Sequence, residues 1–143
     1  MAKSKRYRLK LKKKKKRPKV RKIHIGTYYF EVFYLVSSRE ECIKAFKECF
    51  LEDISNKDLR SGWATSLEGD NGQGAYFIWM DKITGFDCIA HEAFHAVKYI
   101  LCNYAGLKLS GDSDEAFAYL LAHICHQVIH EKGEICNGEQ AAK

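Results

Sequence analysis

The strongest constraint on this chain is the segregation of its charge. Residues 1 to 22 hold 14 of the 24 Lys and Arg and no Asp or Glu. Like charges at that density repel one another, and they leave little apolar surface to bury, so residues 1–19 are expected to be a disordered basic tail. The rest of the chain carries 10 bases against 18 acids, a formal charge of −8 opposite in sign to the tail. Folding is therefore expected in one compact domain over residues 20–133, with residues 134–143 fraying beyond Gly133. With 46% apolar and 13% aromatic residues, the chain has the material for a core.

The pattern changes at Val20. Gly26-Thr27 separates Lys22-Ile23-His24-Ile25 from Tyr28 to Val36, which suits a hairpin with glycine first in the turn. The second of these strands is apolar on both faces, as a central or covered strand is. Ser37 and Ser38 stand three residues before Glu40 and Glu41, the start of a helix reaching about Asp53 with Ile43, Phe46, Phe50 and Leu51 inward. Gly62 to Leu67 and Ala75 to Met80 read as two strands joined by a glycine-rich turn. A helix from Thr84 to Asn103 follows, its core stripe formed by Phe86, Ile89, Ala90, Ala93, Phe94, Val97, Ile100, Leu101 and Tyr104. Asp112 to Glu131 forms a last helix, apolar nearly all round from Ala116 to Ala122 and so expected to be deeply packed. The fold class expected is a small α+β domain: an antiparallel or mixed sheet, an N-terminal helix, a histidine-bearing helix and a C-terminal helix.

None of the six cysteines forms a CxxC pair, and no apolar signal segment precedes them, so reduced thiols and a cytoplasmic location are expected. No apolar run approaches the roughly 20 residues of a membrane span. The cysteines on helices read as small buried apolar groups, while His24 and His130 read as surface residues.

The chemistry concentrates in His91-Glu92-Ala93-Phe94-His95. Histidines four apart on a helix lie one turn from each other on the same face, so two imidazoles can bind one tetrahedral ion. About 100° per residue sets them on the side of the helix away from Phe86, which argues against ordinary core histidines. Glu92 follows the first ligand and can hold its carboxylate beside a water that the metal polarises, where a general base belongs. Zinc needs a third protein ligand, and the last helix offers Asp114, Glu115, His123 and His126.

Glu115 follows His95 with nineteen residues between them. The pentapeptide with a glutamate at that spacing resembles the gluzincin clan of zinc metallopeptidases. Ala116-Phe117-Ala118-Tyr119 is similar to the glutamate helix of the small single-domain zincins of phages and mobile elements. The resemblance covers roughly residues 75 to 125 and leaves out the tail. It implies a zincin-like fold, Zn2+ held by His91, His95 and Glu115, Glu92 as base, and hydrolysis of a peptide bond. It also implies that the strand Ala75 to Met80 aligns an extended peptide or protein substrate by main-chain hydrogen bonds. Thermolysin-like enzymes carry an aspartate four residues after the ligand glutamate, where this chain has Tyr119, so a histidine must be oriented from elsewhere, such as Asp87 or Asp114.

Alternatives stay open at several positions. Glu115 follows Asp112 by three residues and could close a capping box instead. If the two helices run antiparallel, about 1.5 Å per residue brings His123 rather than Glu115 level with His95. Tyr119 lies one turn beyond Glu115, either as a core tyrosine with a satisfied hydroxyl or as the group that hydrogen-bonds the oxyanion. A different class of function is a nucleic-acid-associated module with structural zinc, in which the basic tail, through residues 3–22, binds nucleic acid or another polyanion by phosphate contacts. Glu92 separates the two, because a structural site has no use for that carboxylate.

Overall fold

Strand Phe30–Val36 (β2) sends Phe30, Val32 and Tyr34 one way and Phe33 and Leu35 the other, and all five are buried. Such a strand needs cover on both faces. It has that cover in the structure, a computed structural model describing residues 19–68, 74–83 and 85–136. β2 runs antiparallel to Arg21–Ile25 (β1) and parallel to Gly74–Met80 (β4). Gly62–Glu68 (β3) pairs antiparallel with β4, and Glu134–Ile135 (β5) with β1. The sheet is thus five-stranded and mixed, in the order β3-β4-β2-β1-β5, and the fold is α+β as expected. The hairpin between β1 and β2 turns through Gly26–Tyr28 and a left-handed Tyr29.

A parallel pair needs a crossover, and helix Arg39–Phe50 (α1) supplies it between β2 and the β3–β4 hairpin. Its start is the expected capping box: Ser38 Oγ accepts from the Glu41 amide at 3.2 Å, and the Glu41 carboxylate accepts from the Ser38 amide at 3.1 Å. The helix stops earlier than Asp53, because Leu51 turns left-handed (φ 58°) and points its side chain into solvent. The stripe that packs is Cys42, Phe46 and Cys49, with Ile43 and Phe50 at its margin.

The other face of the sheet carries Phe86–Lys98 (α2) and Asp114–Ile129 (α3), both packed on Ile23, Val32, Ile78 and their neighbours. The buried stripe of α2 is Ile89, Ala93, Ala96 and Val97, continued by Ile100 and Leu101. Phe86, Phe94 and Tyr104, expected in that stripe, are exposed, Phe86 by 61%. Small Ala93 and Ala96 form the line of contact with the sheet, which turns Phe94 outward, and Phe86 is the first residue of the helix, at its open end. After Lys98 the helix widens to a π turn, Tyr99–Tyr104, closed by the Ala105 amide donating to the Ile100 carbonyl at 2.8 Å. The i→i+5 register brings Tyr99 and Tyr104 to the same side, where both rings pack on Phe30, at 6.0 and 5.1 Å between centroids.

α3 departs from its expected deep packing. Phe117, Leu120, Ile124, Cys125 and Val128 are buried, yet Ala118, Tyr119 and Ala122 are exposed, because α2 and the sheet meet the helix on one side only. The chain end also differs from expectation. Gly133 (φ 104°) lets the backbone turn against the Lys22 carbonyl, to which a Cβ would come within 2.7 Å. Residues 134–136 then dock on the free edge of β1, with the Cys136 amide donating to the Val20 carbonyl at 2.8 Å, so this part of the end does not fray. The expected tail before Lys19 and residues 137–143 lie outside the described residues. No helix among the described residues is long and apolar enough to cross a membrane.

Candidate metal centre

α2 positions the histidine pair as its spacing predicts. His91 and His95 both lie on the exposed side of the helix, and their Nε2 atoms are 3.3 Å apart. Two nitrogens each about 2.05 Å from a tetrahedral zinc stand about 3.3 Å from one another, so the pair fits the ion without moving. The rings meet nearly edge to face, at 81°, with centroids 4.9 Å apart.

Glu92, next to His91 in sequence, is turned in toward β3 and is only 8% exposed. Its carboxylate lies against Gly62, the first residue of β3. A Cβ at Gly62 would come 2.2 Å from Glu92 Oε1, so any larger residue there displaces the carboxylate or the strand. Burial raises the Glu92 pKa above its ordinary 4.5, and the nearby His91 and His95 charges pull it partly back. Tyr76, on β4, is held above the ordinary tyrosine range by burial first and by the Glu92 charge second. Gly62 and Tyr76 are site neighbours that sequence reasoning missed; the one signal available for Gly62 was a glycine opening a strand.

The third ligand is not assembled in the same way. Among the described residues, no group of three His, Cys, Asp or Glu side chains stands together as a metal site. Glu115, the second residue of α3, and His123, two turns later, are both exposed. The capping-box alternative for Glu115 does not form: α3 begins after Ser113, with no side-chain cap bond, and Ser113 Oγ instead accepts from the Ser110 amide at 3.1 Å. Tyr119 is 73% exposed, which removes the core-tyrosine reading. Asp87 folds back on Gly85 at its own helix start, and no hydrogen bond joins Asp87 or Asp114 to either motif histidine among the described residues.

β4, expected as the strand that aligns a substrate, is an inner strand flanked by β2 and β3. The hairpin turns back on itself, so the open edge nearest the motif belongs to β3. Cys88 and Cys102 are half-buried on α2 and the π turn, and all six thiols are free. Compared with family models, curated proteins and solved structures, the chain matches none.

Proposed function

We propose that this protein is a zinc-dependent peptidase. The observation that carries the reading is the division of labour within one helical turn: two imidazoles aimed outward at zinc spacing, and between them a glutamate held in a confined pocket. A structural zinc site would not set a carboxylate in partly desolvated surroundings beside its ligands, since ionising it there costs free energy and adds nothing to the fold.

His91 and His95 would hold the ion, with Glu115 completing the set and His123 as the other candidate. When bound, zinc supplies Lewis acidity toward a scissile carbonyl and makes water a better nucleophile near neutral pH. The protein's own groups do the rest. Glu92, whose affinity for a proton is raised by burial, takes the proton of the attacking water and returns it to the leaving amine. Gly62 keeps room for that carboxylate. The unpaired edge of β3 starts at the same residue, so a peptide adding to it as a further strand would pass beside Glu92. Exposed Phe94 and Tyr119 offer apolar contact for side chains of such a peptide. The free thiols suit a reducing compartment such as the cytoplasm.

The test pairs two variants. Glu92→Gln should keep bound zinc and lower cleavage of a quenched-fluorescent peptide library by roughly 10²- to 10⁴-fold, the contribution of a general base. Glu115→Ala should lose the zinc held by His91 and His95. Full activity of Glu92→Gln would remove the mechanism, and undiminished zinc at the His91–His95 pair in Glu115→Ala would move the third ligand to another residue.

A further inference from the structure

α3 carries a second pair of imidazoles four residues apart. His126 and His130 are exposed, and their ring centroids lie 4.4 Å apart at 54°. His123, exposed, stands one turn before His126, and Lys132 Nζ lies 3.4 Å from His126 Nε2. His123, His126, His130 and Lys132 all lie on α3 or the turn that ends it.

We propose that His126 and His130 form a second, bidentate site for a divalent transition ion that prefers imidazole, of the nickel, copper or zinc kind. Residues four apart on a helix project side by side, so the second imidazole binds an ion already held by the first. No carboxylate is part of the pair, which disfavours calcium and magnesium, since these take oxygen donors. Both rings are open to solvent, so water can fill the remaining positions. Lys132 is the competing cation: its ammonium lies against the His126 nitrogen and must swing away for an ion to bind there. The site does not depend on the peptidase reading, and it has a practical consequence: a zinc count on the whole chain reports on two places.

Nickel alone, titrated calorimetrically into the full-length chain carrying His91→Ala and His95→Ala, tests the assignment. One Ni2+ per chain is expected. Adding His126→Ala or His130→Ala should weaken it at least about tenfold, because a chelate becomes a single imidazole. Adding Lys132→Ala should tighten it, an effect that a damaged fold would not produce. All these side chains are exposed, so unchanged circular dichroism is expected throughout. An isotherm that is the same with and without His126 and His130, or the absence of nickel binding in the His91→Ala, His95→Ala chain, would overturn the proposal.

Discussion

The two faces of the sheet are built from the same strands and do different work. On the α1 face, Phe33, Phe46, Phe50, Trp63 and Phe77 form a continuous aromatic cluster, with Phe46 5.0 Å from Phe77 and 5.5 Å from Trp63, mostly edge to face. Its polar needs are met locally, since Trp79 Nε1 donates to the Ser37 carbonyl and hydroxyl, each at 3.2 Å. The α2–α3 face is packed as closely beneath, but it holds the partly desolvated Glu92 and leaves helix sides with Phe86, Phe94 and Tyr119 uncovered. On the proposed reading, one face serves stability and the other tolerates a buried carboxylate for the sake of the chemistry. Substitutions on the two faces should therefore separate stability from activity.

Phe46→Ala should show the largest effect on stability. Phe46 is fully buried in the aromatic cluster, so its truncation should cost about 3–5 kcal/mol in denaturant unfolding while zinc affinity of the folded fraction stays the same. An equal loss in both would mean that the faces are not independent. Gly62→Ala should act the other way. The new Cβ displaces the Glu92 carboxylate, lowering peptide cleavage roughly 10- to 100-fold with zinc content retained.

The smallest effect expected is a gain. Glu92 has a raised pKa in the folded chain, so wild-type stability falls as pH rises from 4.5 through that higher value. Glu92→Gln escapes this loss. In chelator-stripped protein it should melt a few degrees higher than wild type at pH 7, with the difference shrinking as pH falls below 4.5. A lower melting temperature at pH 7 would show that the carboxylate stabilises this face and that the contrast is drawn in the wrong place.

What could be read in the sequence was local. The capping box of α1, the strand alternation, and the placement of His91 and His95 away from the core follow from spacings within one or two turns. What could not be read depends on residues far apart in the chain. That β3 and not β4 is the open edge depends on β4 pairing with β2 more than 40 positions earlier. The docking of residues 134–136 needs the free edge of β1, and the pocket of Glu92 needs Gly62, thirty residues upstream. α3 looked fully buried because its composition is apolar, but composition does not say on how many sides partners arrive. The wide turn after Lys98 reflects two tyrosines meeting Phe30, which no helical period announces. The pairing of Glu115 with the histidines comes from a resemblance; among the described residues no third ligand stands with the pair.

The most direct test of the account is the zinc content, by elemental analysis, of full-length protein in which His126→Ala and His130→Ala have removed the second imidazole pair. One zinc per chain is expected, falling to none when His91→Ala and His95→Ala are added. A chain that takes up no zinc before those last substitutions, or keeps it after them, would contradict the claim that this helical turn is a metal centre.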